Sequence, residues 1–148
     1  MRKIEITADG LVSSLLKVAE IKNVAILDSC GVGRADANLL IAGIEPLEEL
    51  EISNDDAVET LRIFDEKLGN EKLAGIFTIS YDFALKLQHI DRHPKSSISH
   101  AEPDIYLVLF ECLVIHNYAN GQTFLSGNSA KFDQIEKELV DSLPQDSP

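Results

Sequence analysis

Along the chain, apolar and polar positions follow two different periods, and the changes between them mark the elements. Residues 2–6, RKIEI, alternate and predict a short strand. From Asp9 onward Leu11, Leu15 and Val18 recur at three- and four-residue spacing beside Val12, Leu16 and Ala19, which predicts an amphipathic helix. Residues 24–29 begin with four apolar residues in a row, leaving no wet face, so a buried strand is expected there and another over 39–44. Residues 47–52, LEELEI, set acids in an apolar frame and suit an exposed strand or turn.

The stretch SNDDAVETLRIFDEKLGN is the clearest helix. Ser53 can cap it, Asp55 and Asp56 place negative charge at its N-terminus, and Gly69 can stop it. Ala57, Leu61, Phe64 and Leu68 form its apolar stripe. LAGIFTIS then predicts a buried strand, YDFALKLQHI a short helix, and residues 89–103 a polar loop. DIYLVLFECLVIH, residues 104–116, is one long, nearly continuous apolar strand. Asn120-Gly121 predicts a hairpin with a type I′ turn, since both residues tolerate positive φ. Asn128 or Ser129 can cap a last helix carrying Phe132, Ile135 and Leu139 on one face. A hairpin-joined strand pair with helices between other strands predicts an α+β domain, with a largely antiparallel sheet and packed helices, over residues 1–143. Residues 144–148 are expected to be a linker or tail.

Composition narrows the function classes. The 148 residues suit one domain with a real core. A formal net charge of -12 argues against nucleic acid or anionic lipid as a partner, because both select a cationic face. No apolar run approaches the ~20 residues of a membrane span, and MRKIEITADG alternates too early for a signal peptide. Cys30 and Cys112 lack metal-ligand spacing and fit free thiols, so a cytoplasmic location is expected.

The candidate chemistry is thin. Gly31 and Gly33 follow a strand, but the third glycine of a dinucleotide loop is missing and ANLLIAGI continues as a strand. His89 and His93 have ligand-like spacing, but Pro94 discourages helical geometry at His93, and His100 and His116 join no constellation. Ser29, Ser80, Cys30 and Cys112 are possible nucleophiles without an elbow or a paired base. No catalytic set, metal site or cofactor site is therefore expected. Asp28 and Ser29, at a strand end, can receive an ammonium group or polar donor; equally, they can satisfy loop amides as Asx and Ser turns.

Three stretches in order resemble one family. VAILDSCG resembles the L-L-E-S or L-L-D-S strand of the chorismate-utilising synthases, and LAGIFTISYDFALKLQHI resembles their G-Y-L-S-Y-D segment through Ser80, Tyr81 and Asp82. PDIYLVLFECLVIHNYANGQTFLSGN matches a third segment at Pro103, Asp104, Leu109, Gly121, Leu125, Gly127 and Asn128, with Glu111 and Phe110 in place of its acid and tyrosine. The resemblance is to the N-terminal domain of component I of aminodeoxychorismate (para-aminobenzoate) or anthranilate synthase. It implies the N-terminal half of the anthranilate synthase component I fold. In the family, chorismate and magnesium belong to a C-terminal catalytic domain that nothing here resembles. The resemblance therefore implies a chain inactive alone that supports a chorismate-binding catalytic domain and helps dock a glutamine amidotransferase subunit. It also implies part of a tryptophan-type effector pocket at Leu27, Asp28 and Ser29, with Asp28 one methylene shorter than the family's glutamate. The alternative is an independent small-molecule or protein binding module that has kept the fold.

Overall fold

The computed structural model describes residues 1–30, 38–90 and 102–144. Among the described residues, eight strands and four α-helices follow in the order β1 (Arg2–Ile4), α1 (Ala8–Ala19), β2 (Val24–Asp28), β3 (Leu39–Ile44), β4 (Glu48–Ile52), α2 (Ala57–Leu68), β5 (Ala74–Ile79), α3 (Tyr81–Leu87), β6 (Ile105–Phe110), β7 (Cys112–Asn117), β8 (Gln122–Gly127) and α4 (Phe132–Asp141). All strand pairings are antiparallel, which makes this an α+β fold. There are two sheets, a larger one in the order β1-β8-β7-β3-β2 and a smaller one in the order β4-β6-β5.

The side-chain period of two sorts each strand between layers. On the larger sheet, Leu40, Ala42, Ile44, Cys112, Val114 and Leu125 pack with Leu11, Leu15 and Val18 of α1 and with Phe132, Ile135 and Leu139 of α4. On the smaller sheet, Ile52, Ile105, Leu107 and Leu109 pack with Ala57, Ile63 and Phe64 of α2 and with Phe83 of α3. Between the two sheets, Ile76, Val108 and Phe110 meet Ala25, Ile41 and Leu113. The result is four layers, with helices outside and the two sheets within.

The expected single strand over 104–116 is in fact two, β6 and β7, in different sheets. Glu111 is the break. Before it, Val108 and Phe110 face the inter-sheet core; after it, Cys112 and Val114 face the α1/α4 layer. A carboxylate inside an apolar run needs polar partners, and Glu111 accepts from Asn128 Nδ2 at 3.1 Å. The crossing also needs space. An added Cβ on Gly127 (φ +124°) would lie 2.2 Å from the Glu111 carbonyl oxygen, and one on Gly43 would enter the Phe110 ring.

Other expectations shift for local reasons. β2 and β5 are edge strands rather than buried ones, so Leu27 is 49 % and Phe77 42 % exposed. Apolar composition cannot tell a central strand from an edge. Asp56, not Ser53, caps α2, accepting from the Val58 N–H, while Ser53 Oγ accepts from the Asp104 N–H at 3.0 Å. Leu61 and Leu68 lie at the margin of the α2 stripe, and the buried contact there is Thr60. The β7–β8 hairpin is present, but its loop has four residues between the paired Asn117 and Gln122, and Asn120 does not adopt positive φ. Tyr118 in that loop is tied to other segments, its N–H to Asn38 O and its hydroxyl to Asp28. Asn128 does cap, through a short 3-10 turn that leads into α4.

Candidate functional site

β2 ends where the larger sheet carries a row of polar groups. Register places Asp28 opposite Leu40, Leu40 opposite His116, and His116 opposite Thr123, so their side chains share the α1 face. His116 and Thr123 are buried. The Thr123 hydroxyl donates to the Ile6 carbonyl at 2.9 Å, so its lone pair accepts from His116 Nδ1–H at 2.8 Å. Burial pushes His116 below the ordinary imidazole range, against the pull of the Asp28 carboxylate. Tyr118 sits edge-on to His116, with ring centres 5.0 Å apart.

Asp28 is partly committed to its own loop. Its Oδ1 accepts from the Cys30 N–H at 2.7 Å, an Asx-type contact, and from the Tyr118 hydroxyl at 2.8 Å. Desolvation works to raise the Asp28 carboxyl, but these hydrogen bonds outweigh it and hold the group below the ordinary carboxylate range. The same contact, together with burial as the larger cause, pushes Tyr118 up to about 12. Cys30 adopts φ +56°, which turns the chain out of the sheet.

The structure thus brings Asp28 and Ser29 to one strand end, with Leu27 beside them on the opposite sheet face. Ser29 Oγ is buried without a hydrogen-bond partner among the described residues. Leu27 is half exposed, and Leu39, which accepts the Ser29 N–H through its carbonyl at 3.1 Å, is 41 % exposed. Sequence reasoning missed Tyr118 and Thr123, and it expected His116 to join no constellation, whereas His116 lies in this row beside both. A signal was present, because in the phase Cys112–Val114–His116 the histidine falls on a core-facing position, but reading 104–116 as one apolar run hid that phase.

The remaining candidates have structural surroundings. Ser80 caps α3, accepting from the Phe83 N–H at 3.1 Å. Cys112 is buried, and desolvation raises its thiol, which disfavours the thiolate. Asp104 ties the start of β6 to both helices of the smaller sheet, accepting from Lys86 Nζ at 2.8 Å and lying 3.4 Å from the buried Thr60 hydroxyl. His89, just past the C-cap of α3, has φ +53°. Gly31, Gly33, His93, His100 and most of the expected polar loop and tail lie outside the described residues. Among the described residues, no three His, Cys, Asp or Glu side chains gather to hold a metal ion. Nor is any described helix long and apolar enough to cross a membrane. No family model and no curated protein matches the chain.

Proposed function

We propose that the chain is a non-catalytic, cytoplasmic domain that docks against a catalytic partner and contributes part of a ligand pocket at the end of β2. Its resemblance to component I of aminodeoxychorismate or anthranilate synthase suggests the partners: a chorismate-binding catalytic domain and a glutamine amidotransferase subunit. Tryptophan is the first ligand to test. The observation that supports this reading is one strand end where exposed apolar Leu27 and Leu39 lie on one face of the larger sheet and the Asp28–Tyr118–His116 network on the other, and where the Ser29 hydroxyl has no hydrogen-bond partner among the described residues. Exposed apolar surface beside a polar cluster suits an inter-domain contact.

Calorimetric titration of the chain with tryptophan tests the pocket. Half a pocket should bind in the millimolar range or more weakly, about 4 kcal/mol or less, and Asp28→Ala should remove what binding there is. Micromolar binding to this chain alone would mean that the site is complete without a partner. Titratable binding indifferent to Asp28→Ala would remove Asp28 from the site. Formation of aminodeoxychorismate or anthranilate from chorismate, ammonia and magnesium by the purified chain would refute the non-catalytic reading.

A further inference from the structure

At the opposite end of β2, a cavity of about 380 Å³ opens between the two sheets. Its apolar wall is made by Ala25, Pro46 and Val108, and its polar rim by Asn23, Glu49 and Tyr106. The volume lies at the lower end of the range for small-molecule sites. Alternation along β4 explains why a carboxylate points there. Leu50 and Ile52 pack toward α2 and α3, so Glu49, paired with Val108, faces the inter-sheet side.

The Glu49 carboxylate is held in place from both sides. Asn23 Nδ2 donates to Oε1 at 2.8 Å, and the Tyr106 hydroxyl donates to Oε2 at 2.9 Å. Each oxygen keeps a further acceptor position. Tyr106 keeps its donor proton, because the hydrogen bond to Glu49, and then burial, raise it above the ordinary phenol range. Glu49 has no cationic partner among the described residues. The nearby candidate, Lys22 on the same cavity wall, is taken up by Glu45 at 2.9 Å and Glu138 at 2.7 Å. The oriented carboxylate therefore faces an apolar wall with no ion-pair partner among the described residues, on a chain of net charge -12 that concentrates cations around it.

We propose that this cavity binds a small organic monocation, a primary amine on a compact aromatic or branched aliphatic body, with Glu49 as its counter-ion. The ammonium donates to the free acceptor positions of Glu49, and its body lies along Ala25, Pro46 and Val108 beside the Tyr106 ring. An anion of the same shape meets the Glu49 carboxylate directly and is excluded. This site stands apart from the one at Leu27–Ser29, so either can fail alone.

The test is an amide NMR titration of the full chain with 2-phenylethylamine, neutral 2-phenylethanol and anionic phenylacetate. The amine should shift the amides of Asn23, Ala25, Glu49 and Val108 and saturate in the millimolar range. The alcohol and the acid should bind about tenfold more weakly or worse, as the loss of a charge-assisted contact predicts. Glu49→Gln, at an exposed position, should keep the dispersed spectrum and reduce amine affinity to that of the alcohol. Equal binding of amine and alcohol by the parent chain, unchanged amine affinity in Glu49→Gln, shifts centred elsewhere, or no saturable binding would each overturn the proposal.

Discussion

Replacing Thr123 by valine keeps the shape of a buried side chain and removes two hydrogen bonds at once. Thr123 is 1 % exposed; its hydroxyl accepts from His116 Nδ1 at 2.8 Å and donates to the Ile6 carbonyl at 2.9 Å. In Thr123→Val the His116 N–H is left in a desolvated site with no acceptor, a cost of about 1–3 kcal/mol. The Ile6 carbonyl, only partly buried, loses a donor worth about 1 kcal/mol. Together the change should cost about 2–4 kcal/mol, a fall in melting temperature of roughly 4–16 °C for a domain of this size. Denaturant and thermal melts at neutral pH measure it. The double variant His116→Phe/Thr123→Val decides the cause, because removing both partners leaves only the carbonyl unpaired. Thr123→Val should then cost about 1–3 kcal/mol less in the His116→Phe background than alone. If Thr123→Val melts with the parent chain, or costs the same in both backgrounds, the hydrogen-bond assignment in this row is wrong.

Gly127→Ala should destabilise by more than ~3 kcal/mol or prevent folding, because its Cβ would lie 2.2 Å from the Glu111 oxygen at φ +124°; a denaturation midpoint near that of the parent would refute the account of the sheet crossing. On acidification, His116 should cost the fold stability first: burial lowers its folded value, so the unfolded chain binds the proton earlier. The loss begins as pH falls below about 6.5 and is complete below the folded value. His116→Phe should flatten that limb in melts run across pH. Asp28 is also lowered in the folded state, so its contribution is present above the ordinary carboxylate range, about 3.9, and is lost as pH falls through the folded value; Asp28→Asn should remove this second limb. Asp28→Ala should change stability at neutral pH by only ~1 kcal/mol, and a much larger loss would show that the Tyr118 contact organises the hairpin as a whole.

Much of the secondary structure is legible in the sequence, because helix and strand periods are local. Leu11, Leu15 and Val18 announce α1, and Phe132, Ile135 and Leu139 announce α4, since each helix must bury one face whatever it meets. Asn128 as a cap and Asn120-Gly121 as a hairpin signal are local in the same way, and the antiparallel pairing of β7 with β8 follows from their short connection. Only the tertiary structure decides which strands lie at the edges, since β2 and the central β6 are alike in apolar content but differ in their neighbours. It also decides that the run over 104–116 divides at Glu111. That division depends on contacts from Gly127 and Asn128, more than a dozen residues away in the chain. The same holds for the sites. Asp28 and Ser29 stand out in the sequence as polar residues at a strand end. His116 and Thr123 join them through register across four strands and Tyr118 through the β7–β8 loop, and Glu49 meets Asn23 and Tyr106 only where the two sheets come together. Local periodicity carries no information about such meetings, because they are set by which layers pack and in what phase.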